Sequence, residues 1–113
     1  MLSKARRIDK TTFKTLTGRG MSFNSPLLFL SVYPQKTNTP SRFAVLCSKK
    51  VSTRAVDRNR QRRRVYRSVQ HIYSHIKPVF YVVCTLKKEA KDSTFDELDT
   101  TIKKLITDAR LVD

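Results

Sequence analysis

A chain of 113 residues with 39% hydrophobic residues, two glycines and four prolines has the composition of one globular domain with a core of its own, not of a disordered tail. Its 24 Lys and Arg against nine Asp and Glu give a net charge of +15, a self-repulsion that calls for an anionic partner, nucleic acid first. No apolar run reaches the roughly 18 residues of a membrane span, and "MLSKARRIDK" has no apolar run behind it to act as a signal peptide, so a cytoplasmic protein with no membrane partner is expected.

In chain order, residues 9–17 predict a short helix, with Asp9 and Thr11 or Thr12 as caps, Phe13 and Leu16 three apart, and Gly18 and Gly20 closing it. "LLFLSVY" (27–33) and "RFAVLCS" (42–48) predict two strands, and the loop "PQKTNTP" between them suggests that they pair as a hairpin. In the first strand Leu28, Leu30 and Val32 share the face expected to meet the core, and Phe29, Ser31 and Tyr33 share the other. From about 53 to 76 the period becomes helical: Val65, Val69, Ile72 and Ile76 form one stripe at spacings of four, three and four. Arg60, Arg63 and Arg67 then lie nearly opposite that stripe, with Asn59, Arg63 and Tyr66 on a flank beside them. Pro78 ends the helix, "VFYVVCT" predicts a buried strand, and 92–110 a last helix with the capping-box pattern Thr94-x-x-Glu97 and an apolar face of Leu98, Ile102, Leu105, Ile106 and Ala109. The alternation of helices and strands predicts an α/β domain on a small sheet, with residues 1–113 as a single RNA-binding domain.

The charge is concentrated. Residues 1–88 hold 20 Lys and Arg against Asp9 and Asp57, whereas 89–113 hold four against seven acids. Between 58 and 77 no Asp or Glu interrupts the arginines, although like charges three or four apart destabilise a helix by a few tenths of a kcal/mol per pair. A solvated helix face interleaves acids; this one does not, which points to binding of a polyanion. Arginine suits structured RNA, since its planar fork grips phosphate bidentately and stacks on bases.

"SKKVSTRAVDRNRQRRR" resembles the signature of the protein subunit of bacterial ribonuclease P, through Ser48, Lys49, Lys50, Ala55, Val56, Arg58, Asn59, Arg60, Arg62 and Arg63. The similarity extends across the chain in length, charge and element order. It implies an α/β (α+β) two-layer sandwich on a small mixed sheet of three to four strands, with a left-handed βαβ crossover, similar to the second domain of ribosomal protein S5. The implied function is a cytoplasmic protein that helps one catalytic RNA to remove the 5′ leader of precursor tRNA, in a 1:1 complex. Carried onto this chain, the resemblance implies that Lys49, Lys50, Arg54, Arg58, Asn59, Arg60, Arg62, Arg63 and Arg67 face the catalytic RNA. It also implies that a cleft including Phe13, Thr17, Phe29, Ser31 and Tyr33 takes the leader. Gln61 and Arg64 depart from the family's apolar pattern, and Gln61 projects onto the stripe of Val65, which suggests that the helix's first turns run past the core. Thr17 and Ser31 stand where aromatics are frequent, with Phe29 and Tyr33 on the Ser31 face to substitute.

Catalytic residues are not expected in the protein itself, because no motif places Cys47 or Cys84 with a histidine. His71 and His75, four apart, make half a zinc site that with the two cysteines is conceivable, but no paired-ligand spacing supports it. The protein is therefore expected to carry no cofactor, with Mg²⁺ at the active site of an RNA partner. A ribosomal or other structured-RNA-binding protein would share the charge and fold, and only the signature separates it from a ribozyme subunit. A protein nuclease is disfavoured, since no carboxylate cluster lies near the basic stretch to hold Mg²⁺.

Overall fold

The computed structural model describes residues 3–16, 20–35 and 39–112. Helix α1 (Lys10–Thr15) begins where the Asp9 carboxylate accepts the Thr12 N–H at 2.7 Å, and hydrogen bonds from Thr12 hold the Asp9 carboxyl below its ordinary pKa. The helix stops at Leu16; Gly18, expected to close it, lies outside the described residues. Strands β1 (Met21–Asn24), β2 (Leu28–Pro34) and β3 (Arg42–Leu46) follow, then α2 (Ala55–Ile72), β4 (Phe80–Leu86) and α3 (Phe95–Asp108).

The four strands form one mixed sheet in the order β1, β2, β4, β3, antiparallel except for the parallel pair of β3 and β4. The hairpin expected between 27–33 and 42–48 is therefore not formed; β4 inserts between them. Burial explains why. Val82, Val83 and Cys84 are consecutive and all buried, so neighbouring side chains shield the middle of β4 on both faces, as they do in the centre of a sheet. All seven residues of β2 find partners along β4, from Leu28 opposite Leu86 to Pro34 opposite Phe80. The partner that β2 does have in a hairpin is β1, a mostly exposed strand whose sequence "MSFN" alternates apolar and polar over only four residues, the shortest run that signals a strand. Strand β4 starts one residue later than expected because Val79 has φ = 71°, a left-handed backbone that breaks the extended run.

Helices α2 and α3 cover one face of the sheet. Leu28, Leu30 and Val32 of β2 and Phe43 and Val45 of β3 meet Val65 and Val69 of α2 and Leu98, Ile102, Leu105 and Ile106 of α3 in one buried cluster. Helix α3 opens with the predicted capping box, Thr94 Oγ1 accepting the Glu97 N–H at 3.2 Å and Glu97 Oε1 accepting the Thr94 N–H at 3.1 Å. Asp99 joins the two helices, accepting from Ser68 Oγ at 2.5 Å and from Lys103 Nζ at 2.8 Å. Burial raises its pKa, but these donors outweigh burial and hold the carboxyl below its usual range.

The first turns of α2 do not run past the core. Gln61 is 2% exposed, and its Nε2 donates to the carbonyls of Ala90 and Lys91 at 3.2 and 3.1 Å, while Arg64 Nη1 donates to the Ser93 carbonyl at 3.1 Å. The helical turn at Lys88–Asp92 thus roofs the helix through polar bonds where an apolar residue was expected. Gln61→Ala removes a two-bond bridge between two elements, while the Ala90 carbonyl keeps the Ser93 hydroxyl and N–H as donors, so it lowers the unfolding free energy by about 0.5–1.5 kcal/mol. Urea denaturation of the variant measures this, and an unchanged midpoint would show that the bridge contributes nothing.

Candidate nucleic-acid interface

The basic surface begins at a tight turn after β3. Val51 N–H donates to the Ser48 carbonyl at 3.0 Å and Lys50 N–H to Ser48 Oγ at 3.3 Å, which leaves Lys49 and Lys50 exposed at the tip while Val51 anchors the turn in the core. Ser52 then ties this turn to α2: its hydroxyl lies 3.3 Å from Asp57 Oδ2 and accepts the Arg54 N–H at 3.3 Å. The serines and the acid of the signature are therefore its scaffold, and the basic side chains are what the scaffold presents.

Those side chains divide by what they touch. Arg58 Nη1 donates to the carbonyls of Ser52 and Thr53, both at 3.0 Å, so this guanidinium braces the turn even though the sequence suggested it only as an RNA contact. Arg54 and Arg60 reach Asp57 at 3.9 and 3.6 Å from exposed positions. Arg62 Nη2 donates to Asn59 Oδ1 at 2.9 Å, and the Arg67 guanidinium sits 5.3 Å from the centre of the Phe95 ring. Lys49, Lys50, Arg54, Asn59, Arg60, Arg63 and Arg67 are exposed, and Arg58 and Arg62 half-buried. Among the described residues Asp57 is the carboxylate that pairs with these arginines, far too little to neutralise them.

One residue of this surface escaped the sequence reading. Arg7 is brought to α2 by a parallel bridge to Phe43, with the Ile8 N–H donating to the Phe43 carbonyl at 2.9 Å. It borders a cavity of about 460 Å³ together with Val56, Asn59, Arg62, Arg63 and Tyr66. Forty residues separate Arg7 from the signature, which begins at Ser48, and the pairing at the edge of β3 unites them.

The sheet face away from α2 and α3 carries the suggested leader residues. By register, Phe29 and Leu46 both stand opposite Thr85, Ser31 and Ala44 opposite Val83, and Tyr33 and Arg42 opposite Tyr81. Small side chains thus form a row across the strands, between a row with Phe29 and a row with two tyrosines. Tyr81 went unnoticed in the sequence, although alternation along "FYVVCTL" puts it on the Tyr33 face. A Cβ on Gly20 would come within 2.7 Å of the Tyr33 ring, so glycine here lets that ring lie against the backbone before β1. Phe13 of α1 lines a groove of about 260 Å³ over Ala44, Leu46 and Tyr66. Near the other end of the face, Phe29, Lys50, Thr85 and Lys88 line a groove of about 700 Å³. Thr17 lies outside the described residues. If this face takes a single-stranded 5′ extension of a tRNA, with roughly 1–3 kcal/mol of stacking per base, Phe13→Ala is expected to weaken binding of the extended tRNA more than of one without the extension. Equal losses for the two, measured by filter binding, would make Phe13 a packing residue only.

The remaining reactive groups are set apart from these faces or held inert. Burial pushes the Cys84 thiol up to about 12. Burial also raises Cys47, more than the nearby Arg62 and Arg58 guanidiniums lower it, so both cysteines are protonated and unreactive near neutrality. His71 and His75 are exposed at the end of α2, while Cys84 is wholly buried in the sheet, so the conceivable zinc set is not assembled. Among the described residues no three His, Cys, Asp or Glu are grouped to hold a metal ion, and no helix is long and apolar enough to cross a membrane.

A family model for ribonuclease P matches residues 1–110. The ribonuclease P protein component of Clostridium novyi is 31% identical over 112 residues, covering 97% of this chain and 98% of that one. Its counterpart from Clostridioides difficile is 33% identical over 95 residues, covering 83% and 82%. Among solved structures, the RNase P protein of Staphylococcus aureus superposes with a TM-score of 0.86 at 22% identity over 97% of this chain and 100% of that one. The RNase P protein of Thermotoga maritima does so with 0.79 at 17% identity over 90% and 96%. At these identities the structural likeness establishes the fold.

Proposed function

The chain belongs to the ribonuclease P protein family, and from that membership we propose a division of labour between its two exposed faces. It is a protein component of ribonuclease P and acts in tRNA processing. In the proposed arrangement, the Ser48–Val51 turn and the arginine side of α2 hold the catalytic RNA, and the open sheet face with Phe13, Phe29, Tyr33 and Tyr81 takes the 5′ leader of precursor tRNA, one protein to one RNA, in the cytoplasm.

The observation that carries this reading is how the carboxylates near the basic face are used. Asp9 caps α1, and Asp57 is engaged by Ser52, Arg54 and Arg60. Neither is free to join a second carboxylate around a divalent cation, so this donor set does not fit Mg²⁺, and the ion belongs to the RNA. With both thiols protonated, the described residues offer cations and stacking surfaces but no activated nucleophile. The protein then contributes by screening: its cations lie between two polyanions and lower the concentration of Mg²⁺ needed to bring them together.

The purified protein alone leaves precursor tRNA intact, and adding the catalytic RNA releases the 5′ leader at a magnesium concentration where that RNA alone is slow. RNA-free protein that cleaves precursor tRNA, and loses the activity on Asp57→Asn or His71→Ala, would move the chemistry into the protein and overturn the proposal.

A further inference from the structure

We propose that the cleft between Arg7 and the start of α2 receives one unstacked guanosine nucleotide of the catalytic RNA, its phosphate on the arginines and its base against Val56 and Tyr66. The inference rests on the assignment of the arginine face to that RNA and adds what the face selects.

Four observations converge on the cleft. Val56, Asn59, Arg63 and Tyr66 follow one another at spacings of three, four and three, so they form a single stripe along α2 that faces Arg7. The volume of this open cleft, about 460 Å³, falls in the range of about 300–1,000 Å³ typical of small-ligand clefts. Val56 is 56% exposed in the midst of arginines. A surface that only tracks phosphates gains nothing from an aliphatic side chain there, whereas the face of a base or ribose does. Finally, the Arg7 Nε is buried without a hydrogen-bond partner, and Arg7 is held in the wall by its backbone bridge to Phe43. A buried donor with no partner calls for an explanation, and a small shift of the Arg7 side chain on binding would bring it to an acceptor in the cleft.

The lining also specifies an edge. Asn59 Oδ1 already accepts from Arg62, so among the described residues the polar group that Asn59 has left to offer in this lining is its amide NH2. Arg7, Arg62 and Arg63 are donors only. A wall made of donors fits a base edge made of acceptors, and guanine N7 and O6 form such an edge, the one that arginine grips bidentately. Adenine and cytosine place an amino donor there and meet repulsion, and uracil offers one acceptor, O4, where guanine offers two. Unstacked bases of RNA are bound in this way, on a flat or apolar side chain with their edges read by hydrogen bonds. Tyr66 walls both this cleft and the Phe13 groove, and so separates the nucleotide of the catalytic RNA from the leader.

The test titrates the isotope-labelled full chain with GMP, AMP, CMP, UMP, ribose 5-phosphate and inorganic phosphate, following the Val56 methyl and Asn59 amide signals by NMR. GMP is expected to shift both signals and to bind at least tenfold more tightly than ribose 5-phosphate or AMP, and Val56→Ser, a change at an exposed site, to reduce GMP to the level of ribose 5-phosphate. Equal affinities for GMP and inorganic phosphate would overturn the proposal, and a different base bound tightest would overturn the guanine edge. Neither result touches the arginine face as a phosphate surface; failure of that reading appears separately, as the absence of any complex with the catalytic RNA. Ultraviolet crosslinking of the assembled complex, with each RNA labelled in turn, identifies the donor of the nucleotide. An adduct of the Val56–Tyr66 peptide with the catalytic RNA supports the assignment, and one formed only with precursor tRNA refutes it.

Discussion

Raising monovalent salt from about 50 to 200 mM weakens the complex of this protein with its catalytic RNA by about 10³-fold or more, the loss expected when six or more phosphates are neutralised and their condensed counterions released. The count comes from the structure: Lys49, Lys50, Arg54, Arg60, Arg63 and Arg67 are exposed around one turn and one helix side, with Arg62 half-buried beside them. Sequence charge alone would overstate it, because Arg58 and Arg64 spend donors on backbone carbonyls and serve the fold first. The acids of α3 lie on another element, with Asp99 committed to Ser68 and Lys103, so they do not blunt the basic side. Filter binding across a salt series gives the slope directly. A nearly flat dependence would mean that the complex is held by something other than this surface.

The triple variant Arg60→Ala, Arg63→Ala, Arg67→Ala loses about 3 kcal/mol or more of RNA affinity, about 10²-fold, at about 1 kcal/mol or more for each charge-assisted contact. Its fold survives, because the interactions removed within the protein are weak. The exposed Arg60–Asp57 pair at 3.6 Å is worth about 0–1 kcal/mol, and the Arg67–Phe95 contact about 0.5–1 kcal/mol. Circular dichroism and thermal melting separate the two effects. A variant that melts like the parent and binds RNA as well as the parent would make these arginines a solvated face and nothing more.

Much of this was legible in the sequence wherever a local pattern has a single structural meaning. The stripe of Val65 and Val69 and the apolar face of α3 follow from a period of 3.6, and the Thr94–Glu97 box from two backbone donors that need acceptors three residues apart. The facing of Leu28, Leu30 and Val32 follows from the period of two. Strand partners were not legible, because alternation fixes a face but not a neighbour, and the choice of β4 over β3 for β2 depends on which strand must be buried on both sides. Gln61 was misplaced for a similar reason: whether an amide is exposed or buried depends on carbonyls 29 and 30 residues away. Within the site, the basic signature was visible as charge, whereas Arg7 and Tyr81 join it only through pairings at β3 and β4.

The central place of β4 sets the order in which the molecule can be made. A ribosome delivers β1 and β2 as a hairpin, then β3, then the most basic helix of the chain, before residues 80–86 that hold β2 and β3 together exist. Until then β2 and β3 each offer an unpaired edge, and α2 has half a sheet to rest on. Synthesis stopped anywhere before Leu86 leaves a short hairpin and a charged tail, so the sheet, and with it its open face, closes in one late step rather than strand by strand.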